Sequence, residues 1–422
     1  MTLLPKMYRL TQTFDRPRVQ AVSELTEQQL DALALNKKNL AGAKIGITVG
    51  SRGIQNLSPI LRTAVEYIKK LGATPYLVAA MGSHGGGNAE GQKEVLDSLG
   101  MTEEALGARV ITCADCETIG HTPSGLPVFV VRSALDLDGI LVINRVKTHT
   151  SFKGVVESGL MKKLVVGLGG PKGAQQFHGF GPGELARLLV EIGEIMLSKL
   201  PVLGGLAIIE NAYEETALIK AVSRENMVNE ETELLHYSKS LMPALPVSDI
   251  DLLIIQEMGK NYSGTGIDTN IIGRARIQGV QEPEMPCIKR IAVLDLSEES
   301  HGNATGVGMA DFITQRLVEK MDRQNTYLNC LTSTFVVRAA IPMYFETEEK
   351  LIEAALYSLC SIPPEKLRIV IIPNTLFLTE CYVSEAIAAE LASHPIMRLE
   401  GGAQENSFDS NGNMTLRIES AH

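Results

Sequence analysis

One stretch concentrates the residue types that do chemistry. From Asn144 to Gly183 it reads NRVKTHTSFKGVVESGLMKKLVVGLGGPKGAQQFHGFGPG, setting His149, Lys153, Lys162, Lys163, Lys172 and His178 among glycines with few carboxylates. A solvated helix face would interleave acids with such lysines. The segment therefore grips an anionic ligand, or uses its imidazoles for proton or metal work, or both. Three other short runs have the same look. Gly50-Ser-Arg-Gly53 offers Arg52, whose planar guanidinium can hold a carboxylate or phosphate bidentately. Gly82-Ser-His84 presents an imidazole among small residues. Glu257-Met-Gly-Lys-Asn-Tyr-Ser-Gly-Thr-Gly-Ile-Asp268 is a glycine-rich loop whose backbone N–H groups suit phosphate.

These runs need strands to place them. Lys44–Val49, Pro75–Met81, Arg109–Cys113, Val128–Arg132, Ile140–Asn144 and Leu206–Glu210 read as short apolar strands. Helices near Glu27–Ala34, Ile60–Leu71 (capped by Ser58-Pro59), Asn88–Leu99 and Gly183–Leu200 separate them. The pattern breaks at Leu241-Met-Pro-Ala-Leu-Pro246 and restarts. Strands follow at Leu252–Gln256, Arg290–Leu296, Thr334–Arg338 and Arg368–Ile372, with helices at Ala310–Met321, Thr347–Leu359 and Tyr382–Ser393. The expectation is two α/β domains, 1–246 and 247–422, with mainly parallel sheets and an active-site cleft between them. Ligands in such sheets sit beyond the carboxyl ends of strands, which is where Arg52, His84 and His149 fall. Taken singly, Arg52 reads equally as a surface arginine and each histidine as a capping or carbonyl-bonded side chain; their joint placement argues for a site. His121, His236, His301, His394 and His422 read as structural or exposed.

Composition bounds the function. The 422 residues carry a net charge of −10, which argues against a general nucleic-acid binder while allowing a local basic pocket. No apolar run is long enough to span a bilayer, and the N-terminus lacks the apolar core of a signal peptide. Six scattered cysteines (113, 116, 287, 330, 360 and 381) suit reduced thiols in a cytoplasm, and the single Cys113/Cys116 pair reads as a strand end. No GxGxxG after a strand, GxxxxGK[ST], GxSxG or HExxH occurs, so standard dinucleotide, P-loop, esterase and zincin readings fail.

The runs resemble the nickel-pincer lactate racemase family. Ser51-Arg52 corresponds to that family's substrate-holding loop, Gly82-Ser-His84 and Thr148-His149 to its two catalytic-histidine loops. Ser158-Gly-Leu-Met-Lys162 matches the motif whose lysine carries the cofactor, and Phe177-His178 the nickel-binding histidine, 178 − 162 = 16 residues on. The resemblance implies a nickel ion and a lysine-attached pincer nucleotide, a pyridinium mononucleotide with thioamide and thiocarboxylate arms. It makes His84, His149 and Arg52 catalytic, Lys162 or Lys163 the attachment site, and His178 the metal ligand. Lys172, Gly266, Asp268 and Arg276 fall to cofactor binding. The partners implied are a small 2-hydroxy acid and cofactor-maturation enzymes, with an oligomer allowed. The chain departs from the family in having threonine before His149, Leu160-Met161 in place of Gly-Arg, a loose second-domain motif, and no tryptophan, which points away from lactate itself. Val146-Lys-Thr-His149 with Lys162-Lys163 also resembles a broader KTH…K group, some of it linked to iron–sulfur proteins. Two other classes stand beside the racemase or epimerase reading: a non-catalytic nucleotide- or anion-binding homologue, and a metal-free hydrolase or lyase.

Overall fold

A computed structural model describes residues 4–359 and 361–419; Cys360 and His422 lie outside them. The chain forms two compact units, one of Arg16–Met242 and one of Pro243 onward joined by the residues up to Asp15. The sequence placed the whole N-terminus in the first domain. Instead β1 (Met7–Gln12) buries Met7, Leu10 and Gln12 and is paired on both edges by strands from the chain's last fifty residues.

The unit 16–242 is built on β2 (Lys44–Val49), β3 (Thr74–Ala79), β4 (Arg109–Ile111), β7 (Gly139–Arg145), β8 (Val202–Glu210) and β9 (Thr216–Val222). β5 (Cys116–His121) and β6 (Pro127–Val131) form a separate antiparallel hairpin. The sheet runs β4-β3-β2-β7-β8-β9, with every neighbouring pair parallel except β8 and β9. From β2 the chain winds outward through β3 and β4 on one side, and β7 and β8 occupy the other. Strand order therefore reverses between β2 and β7, the position where open α/β sheets bind ligands. Apolar strands such as Gly139–Ile143 are buried because helices cover both faces. Helix Leu57–Lys70 packs Ile60, Leu61, Ala64, Val65 and Ile68 on one face; it begins at Leu57, so Ser58 and Pro59 lie in its first turn and do not cap it.

The main correction concerns the glycine-rich segment. Read as a loop, it is helical from Leu160 to His178: an α turn to Lys162, a π-helical stretch Lys163–Leu168, then an α-helix Gly170–His178. Leu160, Met161, Leu164, Val165 and Leu168 recur at helical spacing and are all buried, and that stripe outweighs the low helix propensity of the glycines.

The second unit holds β10 (Asp249–Ile255), β11 (Cys287–Val293), β12 (Phe312–Thr314), β13 (Met343–Phe345), β14 (Ile369–Ile372), β15 (Glu380–Ser384) and β16 (Met397–Gln404). The order is β13-β12-β11-β10-β14-β15-β1-β16, parallel as far as β14 and antiparallel beyond. Residues expected as a strand at 334–338 instead make a 3₁₀ turn, Val336–Ala339. Arg338 is buried there, and its Nε donates to the Ala275 carbonyl. The expected helix 310–321 is β12 followed by a short helix, Gln315–Lys320. Among the described residues no helix is long and apolar enough to cross a membrane.

Candidate functional site

The loops at the carboxyl ends of β2, β3, β7 and β8 carry the polar residues. After β2, Ser51 Oγ is hydrogen-bonded to His84 Nδ1, which follows β3. The backbone N–H of Gln55 donates to Glu210 Oε1 at 2.7 Å, tying the same loop to the end of β8. Gly82, at φ +59°, lets the β3 loop approach the π-helical stretch, donating its N–H to the Gly167 carbonyl at 3.2 Å. A side chain there would meet the Val166 carbonyl at 2.9 Å.

Five cations gather around the β2–β7 reversal. The Arg52 guanidinium is exposed by area, yet its pKa is lowered, first by partial desolvation and then by Arg145 at the end of β7. Lys162, partly buried, is pushed down to about 7 by desolvation, with Arg52, Lys147 and Lys163 adding repulsion. Lys163 is buried beside Gly50, where a Cβ would come within 2.2 Å of its Nζ, and burial lowers it to about 8. Lys162 is the first of the two to lose its proton, at a pH where Lys163 is still charged. Glu210 and Glu214 both pair with Arg145. Desolvation and Glu210 raise the Glu214 pKa, which weakens even that compensation. Among the described residues no carboxylate forms an ion pair with Lys162 or Lys163.

His178 ends the same helix. Desolvation and the neighbouring Lys162 push its imidazole down to about 4, so it is neutral with a free lone pair at physiological pH. His149 is held more elaborately, in a loop closed by Lys147–Ser158 backbone hydrogen bonds. Its N–H donates to the fully buried Glu157 at 2.7 Å, and its carbonyl accepts from Lys153 Nζ at 2.9 Å. Its Nδ1 accepts the Ser151 N–H at 3.1 Å, which selects the neutral tautomer carrying its proton on Nε2. Ring contacts run from His149 to Phe152 (4.3 Å between centroids), on to Phe177 (6.2 Å) and then to His178 (5.5 Å).

Two buried glutamates escaped the sequence reading. Glu157 braces the His149 loop and also accepts Lys239 Nζ at 2.8 Å. Glu231, from helix Met227–Ser240, accepts the Met161 N–H at 2.9 Å at the start of the lysine-bearing helix, and burial raises it to about 7. Neither sits in a recognisable motif; the helix that carries Glu231 was not anticipated either.

The remaining sequence candidates lie outside these loops. Lys172 is exposed beside Cys116 at the start of helix Gly170–His178. Gly266, Asp268 and Arg276 belong to the second unit. Asp268 caps helix Thr269–Ile272 and donates its N–H to Thr375 Oγ1, while Arg276 reaches Asp311 at 3.3 Å. Gly266 turns at φ +71° against the Thr305 carbonyl. That unit also has a cavity of about 490 Å³, lined by residues including Leu245, Met285, Pro286, Leu391 and His394 and by none of the sequence candidates.

Comparison with known proteins adds two findings. The family described as "Domain of unknown function (DUF362)" matches residues 50–219, the part that holds every one of these loops. The lactate racemase apoprotein from Thermoanaerobacterium thermosaccharolyticum superposes with a TM-score of 0.53, covering 88% of this chain and 99% of that one at 13% sequence identity. The chain has a lactate racemase-like fold. No curated protein matches it by sequence.

Proposed function

We propose that this chain racemises or epimerises a 2-hydroxy acid with a nickel-pincer nucleotide attached to Lys162. The observation that carries the reading is the pair of depressed lysines beside a neutral His178 at the sheet's reversal point. A lysine near 7 is about half free amine at neutral pH, a nucleophile suited to covalent attachment. Among the described residues no three His, Cys, Asp or Glu side chains are placed together to hold a metal. His178, neutral at physiological pH, would be the protein's ligand to the nickel, and the nucleotide would supply the others. The surplus positive charge suits both the nucleotide phosphate and a substrate carboxylate.

When bound, the group would supply a reversible hydride acceptor, so that C2 of the hydroxy acid passes through a planar 2-keto acid. The chain's residues supply the rest. Arg52 pairs with the carboxylate and keeps the keto acid in place. His84 takes and returns the hydroxyl proton; its Nδ1 partner is the Ser51 hydroxyl, which can donate or accept as the proton comes and goes. His149 is set differently. It presents an Nε2–H donor to the substrate oxygen, and to take a proton it must give up the Ser151 N–H. Giving up that hydrogen bond carries a cost that His84 does not meet, so the two faces of the substrate meet unequal bases.

The test is interconversion of 2-hydroxy acid enantiomers in D₂O by protein made with the cofactor-building enzymes. Inversion without deuterium at C2 supports hydride transfer, and deuterium at C2 refutes it. His84→Ala and His149→Ala should each abolish inversion while retaining nickel, and the double variant should be no worse. Anion binding without inversion of any 2-hydroxy acid offered would favour the non-catalytic reading.

A further inference from the structure

One surface of the second unit is built inside out. Helix Arg323–Thr332 turns Thr326 and Cys330 inward and presents Tyr327, Leu328 and Leu331 to solvent, the two leucines about two-thirds exposed. The 3₁₀ turn that packs against it adds Val336, and the chain then runs into β13, whose Met343 and Tyr344 are more than half exposed. β13 is the edge of its sheet, hydrogen-bonded on one side to β12. These six side chains expose roughly 600 Å² of surface, the upper end of what the largest patch on a monomer shows. It is also about three-quarters of the ~800 Å² that each partner contributes to a stable interface.

The charge pattern names the occupant. From Tyr327 to Phe345 the sequence has one charged residue, Arg338, and that side chain is buried. The face is thus neutral in a chain of net charge −10. Two copies repel each other over most of their surface, whereas a charge-free face meets itself without repulsion, as a two-fold interface requires. β13 itself carries none of the charged side chains that commonly protect edges, with Pro342 standing just before it. We propose that two copies of this chain dimerise through the 327–332 end of helix Arg323–Thr332, turn 336–339 and β13, the two β13 strands pairing antiparallel across the two-fold axis.

Sedimentation velocity on the full chain from about 1 to 100 µM tests this. The parent protein should sediment as a dimer, and the L328E/L331E double variant as a monomer, its dissociation constant raised roughly a hundredfold or more. Both side chains face solvent, so the variant should keep the parent's melting temperature. Amide exchange at Met343–Phe345 should be slower in the parent than in the variant. A parent protein that stays monomeric at the top concentration overturns the proposal, as does a dimer that survives both charges. Flotation of a monomeric parent, but not the variant, with phosphatidylcholine–phosphatidylserine vesicles would assign the face to lipid instead.

Discussion

Replacing Arg52 by glutamine should raise the pKa of Lys162 and leave Lys163 in place. Lys162 sits at about 7 against an ordinary 10.5, a displacement of about 3.5 pH units (10.5 − 7), so its surroundings oppose protonation by roughly 5 kcal/mol. Desolvation is the largest cause and Arg52 the next, ahead of Lys147 and Lys163, so Arg52 accounts for less than half. Its removal should therefore move Lys162 up by about one pH unit, and by less than about 1.7. At pH 7 the free-amine fraction would fall from about one half to about one tenth. Lys163 serves as the internal control, because burial alone depresses it. The assay is amine acylation at a series of pH values, with each lysine quantified by fragmentation mass spectrometry. A parent Lys162 that titrates near 10, an unmoved midpoint in the variant, or an equal movement of Lys163 would refute the reasoning.

Two further outcomes follow from buried groups. Lys163→Met should stabilise the protein without cofactor. The folded pKa of about 8 lies below the unfolded 10.5, so the cost is full below pH 8 and disappears as pH rises to about 10.5. The gain should be about 3 kcal/mol at pH 7 and near zero at pH 10.5, read from denaturant melts; equal gains at both pH values would contradict it. Gly159→Ala should destabilise by about 1–3 kcal/mol, since its Cβ would come within 2.3 Å of Glu231 Oε1 and dislodge the carboxylate that holds the Met161 N–H. An unchanged melt would remove Glu231 from its assigned place.

The parallel strands were legible in sequence because both faces are covered, leaving continuous apolar runs such as Gly139–Ile143 between turn signals. Their carboxyl ends gave Arg52, His84 and His149 with them. The helix Leu160–His178 was missed because four glycines and a proline in that span speak for a loop, while the signal that decides is the buried stripe at Leu160, Leu164 and Leu168. β1 was missed for a different reason. Its partners lie some 370 residues away, as in the pairing of Leu10 with Cys381, and no local pattern reports such a pairing. The same holds for Glu157 and Glu231. Each acts through a backbone N–H, an acceptor role that many residue types share, so the sequence carries no mark of it.

The central claim, a nucleotide tethered through Lys162 with nickel on His178, is tested most directly by intact mass and bound nickel of protein produced with the cofactor-building enzymes. The parent should gain the mass of the nucleotide and bind nickel near one equivalent. Lys162→Ala should lose the added mass, and His178→Ala should keep it while losing nickel. A parent that gains neither mass nor nickel, or added mass that persists when Lys162 and Lys163 are both replaced, would contradict the account.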